Sequence, residues 1–170
     1  LHTIRKMRDC GFDVGICQVD WQRDPEQAYA VVDIETTGGG SQYHRITEIG
    51  IVKLVDGVEV DTWQTLINPQ RHIPQSITRL TGISNDMVND APFFSDIAQS
   101  LKTFLEGCIF VAHNVNFDYG FIKQEFARLD QSFRLPKLCT VREMRRVYPG
   151  LQSYSLASLT KNIESKKERQ

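Results

Sequence analysis

The chain has 170 residues, a formal net charge of −1, 41% hydrophobic and 24% charged residues. These values describe one globular domain able to bury a core, and they exclude a disordered chain or a global field that draws the protein to nucleic acid or anionic lipid. No apolar run approaches the ~20 residues of a membrane span and no charged-then-apolar leader stands at the start, so the expected location is cytoplasmic, without a membrane.

Residues 1–27 are mixed, with Gly11, Gly15 and Pro25 interrupting any long period, and are expected to form an N-terminal extension or linker with a short helix at Ile4 to Cys10. From residue 28 to 170 the pattern is that of a folded domain. Tyr29 to Ile34 is a nearly continuous apolar run, suited to a strand covered on both faces. Ile46 to Val55 and Val58 to Ile67 predict two further strands joined by Asp56-Gly57, the dipeptide of a tight hairpin.

Short helices are expected at Ser76 to Leu80 and after Ser84, whose side chain suits an N-cap. After Pro92, the spacing of Phe94, Ile97, Leu101, Phe104 and Leu105 predicts an amphipathic helix. Cys108 to Ala112 predicts a buried strand, followed by a helix over Asn116 to Leu129 with Phe117, Phe121, Ile122, Phe126 and Leu129 facing the core. A basic helix is expected at Val141 to Val147, its Arg142, Arg145 and Arg146 on a solvated face, and another begins within Ser153 to Leu159. The four cysteines are scattered without zinc spacing and read as free thiols. The order of elements implies an α/β domain around a mixed sheet.

Side chains alternate along a strand, so Asp33 and Glu35 in "VVDIETTGGG" point to the same side, about 7 Å apart at the backbone. Like charges this close disfavour each other's ionised form unless something positive stands between them. One reading is a strand end open to water; the other is a hard divalent cation, which takes carboxylate oxygens, waters and substrate phosphate. Asp118, in "VAHNVNFDYGF", falls in the first turn of a helix after a buried strand, and shares a face with Ile122 that turns it toward the sheet.

The stretches "VVDIETTG", "ITEIG", "IPQSITRLTGIS", "HNVNFDYGFI" and "LCTVREMRRVYPGLQSYSLASL" resemble, in order and spacing, the DnaQ-like exonucleases of the DEDDh group, which include the proofreading epsilon subunit of bacterial DNA polymerase III. The resemblance runs from about Ala28 to Leu159. It implies a ribonuclease-H-like fold, and 3′ to 5′ hydrolysis of phosphodiesters at single-stranded DNA ends with two Mg²⁺ or Mn²⁺ ions. In this likeness Asp33, Glu35 and Asp118 are the metal ligands, and Thr36 and Thr37 grip the terminal 3′-hydroxyl through backbone amides. Gly38 to Gly40 would let a nucleotide approach the main chain.

Leu80 and Thr81 match positions lining the terminal base pocket, Phe117 packs beside it, and His113 and Asn114 precede the third acid. For Leu80 and Phe117 an ordinary core role is the competing reading. His113 reads as a structural hydrogen-bonding residue, and His44 and His72, in loops, as solvated. RNA is an alternative substrate, and DNA polymerase subunits are expected partners.

The last motif of these exonucleases is a His followed five residues later by an Asp on a C-terminal helix. After Asp130 the chain holds neither residue type, and the sequence following "SYSLASL" is only "TKNIESKKERQ". The catalytic helix is thus missing from the domain, through truncation, omitted residues or true degeneracy. A chain ending here is expected to be impaired, since a positioned general base is worth ~10² to 10⁴ in rate. The alternative function is an inactive module of the same fold that binds nucleic acid or a polymerase.

Overall fold

The computed structural model describes residues 24–159. The helix expected at Ile4 to Cys10 and the tail after Leu159 lie outside them. Five strands and five helices are defined among the described residues: β1 (Ala28–Thr36), β2 (Ile46–Val55), β3 (Val58–Leu66), α1 (Gln75–Thr81), α2 (Asn85–Asn89), α3 (Phe94–Leu105), β4 (Ile109–Ala112), α4 (Val115–Arg128), β5 (Lys137–Cys139) and α5 (Thr140–Val147). A helical turn follows at 156–159. The sheet order is β3-β2-β1-β4-β5, antiparallel from β3 to β1 and parallel from β1 to β5.

The hairpin turns as its sequence requires. Asp56 and Gly57 take φ values of 49° and 72°, the doubly left-handed geometry of a two-residue turn whose twist matches its strands. Ser84 caps α2 by accepting from the Met87 N–H at 3.3 Å. Asp96 reaches back from the first turn of α3 to the Phe93 N–H at 2.8 Å.

Alternation along β1 sorts its side chains onto two faces. Ala30, Val32 and Ile34 join Ile49, Ile51 and Phe110 in the main core, closed by Leu101 and Leu105 of α3 and by Phe121, Ile122 and Phe126 of α4. On the other face, Val31 packs with Val52, Leu54 and Val111. Two positions beyond Val31 that second face becomes acidic, at Asp33 and Glu35. A third cluster, Ile73, Ile83 and Val88, anchors α1 and α2.

Three features differ from the sequence expectations. β5 was not predicted; it is three residues long, too short for any period to register. β1 runs past Ile34 to Thr36 and ends in a bulge between Glu35 and Thr36. Phe117, expected on the core side of α4, is 37% exposed, because the core face of this helix passes through Tyr119, Phe121, Ile122 and Phe126 instead. The arginines of α5 are on its surface as expected, with Arg146 paired to Glu143 and Arg145 over the ring of Tyr154.

Candidate active site

The site grows from a mismatch in strand length. β4 pairs with β1 only at Tyr29, Ala30 and Val31, whereas β1 continues to Thr36. Past Val31 the β4 side of β1 therefore offers backbone groups that need another partner. The chain turns at Asn114, in a left-handed conformation with φ 65° and ψ 59°, and enters α4. In the first turn of that helix Asp118 meets β1, and its Oδ1 accepts the Ile34 N–H at 3.2 Å. Asp118 is thereby fixed at the residue between Asp33 and Glu35.

Asp118 is 4% exposed. Burial, then the Asp33 carboxylate and more weakly Glu35, push its carboxyl well above the ordinary range, against the opposing effect of hydrogen bonds from its own N–H and that of Ile34. Asp33 and Glu35 are half-buried. Across the β1–β2 pair, Gly50 stands opposite Asp33 and Glu48 opposite Glu35. Glu48 is fully buried and accepts from Gln64 Nε2 at 2.6 Å.

The structure thus brings the three predicted acids into mutual electrostatic reach. Among the described residues, no three His, Cys, Asp or Glu side chains are already gathered tightly enough to hold a metal ion. The donor chemistry nonetheless suits a hard cation: the carboxylates of Asp33 and Glu35 disfavour the charged form of buried Asp118, as three oxygen ligands awaiting a divalent ion would.

The segment after β1 departs from the sequence expectation in three respects. Thr37 is not free to hold a 3′-hydroxyl by its amide: its N–H donates to Arg45 O at 2.9 Å, while its Oγ1 contacts His44 Nδ1 at 3.1 Å and accepts the Arg45 N–H at 3.1 Å. Thr37 builds the loop. Gly38 makes room for protein, not nucleotide, since a Cβ there would lie 2.3 Å from the His44 ring. His44, expected to be solvated, is held inside the loop by that packing. Thr36 Oγ1 donates to Gly38 O at 2.8 Å. Open space lies instead at Gly39, and Gly40 has only Tyr43 near it, 3.9 Å from an added Cβ.

Leu80 is 80% exposed, which removes the core reading for it, while Thr81 is buried with its hydroxyl engaged by Ile77 O and the Ile83 N–H. His113 is hydrogen-bonded within the fold: Nδ1 lies 2.9 Å from Thr140 Oγ1, and burial lowers its pKa, against the opposing effect of a bond to the Tyr154 backbone.

Sequence reasoning missed one constellation. Glu125, buried on α4, takes a forked bond from Arg45 at 2.8 and 2.9 Å, and Arg128 Nη1 approaches it at 3.2 Å. Arg128 Nη2 in turn donates to the carbonyls of Ser41, Gln42 and His44. The glycine loop is therefore bolted to α4. A sequence signal existed: Glu125 follows Phe121 by four residues and Ile122 by three, so it falls on the buried face.

A mixed sheet flanked by helices, with acids at the end of its central strand and on the helix after the neighbouring strand, defines an α/β domain of the ribonuclease-H-like class. The sequence profile of the exonuclease family matches residues 30–170, and the chain belongs to that family. Its similarities include the PolC-type DNA polymerase III of Clostridium perfringens, 38% identical over 138 residues, covering 81% of this chain and 10% of that protein. The 3′-5′ exonuclease DinG of Staphylococcus saprophyticus is 41% identical over 132 residues, covering 77% of this chain and 15% of that protein. The chain thus spans a small part of these relatives' length. Among solved structures, Exonuclease X in complex with 5′ overhanging duplex DNA superposes with a TM-score of 0.64 at 28% identity, covering 80% of this chain and 73% of that one. Exonuclease I shares the fold, with a TM-score of 0.66 at 14% identity over 72% of this chain and 31% of that one.

Proposed function

We propose that the domain, spanning residues 28–170, is a divalent-metal-dependent exonuclease that removes nucleotides from single-stranded DNA 3′ ends in proofreading or repair. The observation that carries this reading is the placement of Asp118, buried and hydrogen-bonded to the backbone between two further acids. Asp33, Glu35 and Asp118 would hold two Mg²⁺ or Mn²⁺ ions, which when bound activate water and stabilise the leaving oxygen.

The protein's own part is positioning. The Ile34 N–H fixes Asp118, and Phe117, which precedes it on α4, presents a partly exposed apolar ring that can support a terminal base. Leu80 offers an exposed apolar side chain of the same use. Thr36 steadies the turn after β1 through its bond to Gly38 O, and His113 holds the end of β4 to α5. The similarity to parts of much longer polymerase and exonuclease proteins supports work in the cytoplasm as one unit of a replication or repair polypeptide, or beside polymerase subunits.

A 5′-labelled single-stranded oligonucleotide with the full-length protein and Mg²⁺ or Mn²⁺ tests the reading. Stepwise shortening from the 3′ end, abolished by Asp33→Ala and by chelation, is expected. Binding without hydrolysis would identify an inactive module instead, and equal trimming of an RNA strand would broaden the substrate. The chain ending at Gln170 should trim more slowly than a version carrying a downstream His and Asp.

A further inference from the structure

Between the glycine loop and the start of α4 lies a groove of about 510 Å³ whose lining includes Gly39, Gly40, Tyr43, Asn114, Phe117 and Phe121. One wall is bare main chain at Gly39 and Gly40. Tyr43 stands at the rim, 76% exposed, and Phe117 is 37% exposed. Phe117 is steadied from below by buried Phe121, with ring centroids 4.9 Å apart.

A side chain this exposed on a loose loop would be unremarkable, but this loop is fixed. Tyr43 and His44 both donate their N–H to Gly40 O, at 3.0 and 2.8 Å. Arg128 holds the carbonyls of Ser41, Gln42 and His44, and Arg71 donates to that of Tyr43. Arg45 ties the end of the loop to Glu125. An aromatic ring is thus presented to solvent from a backbone already ordered, so a ligand that covers it avoids much of the ordering cost.

The lining also selects the ligand. It contains aromatic rings, amides, a hydroxyl and glycine backbone, and no charged side chain. The Lys137 ammonium lies outside this lining and donates to Asn116 Oδ1 at 3.0 Å, while a flat heteroaromatic ring finds in the lining itself stacking surfaces and amide groups for its edge. The groove borders the acids in the chain on two sides, since Gly39 follows Glu35 by four residues and Phe117 immediately precedes Asp118, so a strand whose end lies at the acids can reach it within one or two nucleotides.

We propose that this groove is a nucleobase subsite, with Tyr43 as a stacking residue that positions an unpaired base within one or two nucleotides of the 3′ end. The assignment rests on the exonuclease reading for its substrate and extends it to a residue outside the acidic motifs. Stacking reads the π-face of any base, so the subsite demands an unstacked base and not a particular sequence.

The test is equilibrium binding by full-length protein, with Ca²⁺ replacing Mg²⁺, of oligodeoxynucleotides carrying 2-aminopurine at each of the last three positions in turn. At one position, binding is expected to change the fluorescence, and Tyr43→Ala should remove that change and weaken affinity roughly 5- to 100-fold, the worth of one stacked base. Tyr43→Phe should retain both. An abasic residue at that position should weaken the wild type by a similar factor and make Tyr43→Ala nearly silent. Unchanged binding by Tyr43→Ala, or an equal loss on the abasic strand, overturns the subsite. Since Tyr43 is exposed, an unchanged melting temperature separates either result from misfolding. Trimming by the wild type with no effect of Tyr43→Ala removes the subsite alone; a Tyr43-dependent fluorescence change without trimming sustains it and removes the enzymatic reading.

Discussion

α4 carries two buried acids at opposite ends, and their surroundings could hardly differ more. Glu125 is 1% exposed and sits between the guanidinium groups of Arg45 and Arg128, with the Ile46 N–H also 3.4 Å from its Oε1. Asp118, 4% exposed, faces two more carboxylates and has backbone N–H groups as the favourable contacts acting on it. Both residues lose hydration, and among the described residues Glu125 recovers charge compensation from two arginines while the charges acting on Asp118 are those of Asp33 and Glu35. A buried acid answered by cations is architecture; a buried acid surrounded by acids is a place that stability alone would not build.

The contrast can be broken most severely at the acidic end. Asp118→Asn and Asp33→Ala should each lower 3′ trimming by ~10³-fold or more, since loss of a metal ligand forfeits several kcal/mol of charge stabilisation in the transition state. Initial rates with a labelled oligonucleotide check this, and the folded state of the ion-free Asp118→Asn protein should be at least as stable as the wild type. At the other end the sign reverses. Glu125→Ala strands two guanidinium groups and should cost roughly 3 kcal/mol, a drop in melting temperature of about 6–12 °C by calorimetry.

A pH series sharpens the comparison further. The Asp118 carboxyl is raised in the fold, so the native protein holds more protons than the unfolded chain from just above its ordinary value of 3.8 up to the raised one. Its contribution to stability is therefore full at low pH and lost as pH rises through the raised value. Metal-free melting temperatures should show this loss, Asp118→Asn should reduce it, and millimolar Mg²⁺ should offset it near neutrality. The smallest expected effect is that of Arg128→Lys, which keeps the charge but gives up the planar fork that reaches the loop carbonyls, costing on the order of 1 kcal/mol in thermal denaturation.

Much of the fold was legible because its signals are local. The Asp-Gly turn, the capping serine and the spacing of Phe94, Ile97, Leu101 and Leu105 each act within a few residues. The Asp-x-Glu of β1 was legible for the same reason, as alternation alone puts both acids on one face. Less was legible where partners are distant in sequence. Arg45 and Glu125 are 80 residues apart, and nothing in either neighbourhood announces the other. β5 owes its existence to the edge of β4, not to its own three residues. The glycines after Glu35 announced an unusual backbone, but only the folded loop shows Gly38 filled by His44 and Gly39 left open. No membrane-spanning helix was expected, and among the described residues no helix is long and apolar enough to be one.

Ten residues of one helix separate Asp118 from Arg128, a rod of about 15 Å. Near one end Asp118 is fixed to β1, and at the other Arg128 holds the carbonyl of Ser41 in the wall of the groove. Under the proposed function, a cation at Asp118 and a base in the groove both bear on this one helix, and any coupling between them must be reciprocal, each changing the other's affinity by the same factor.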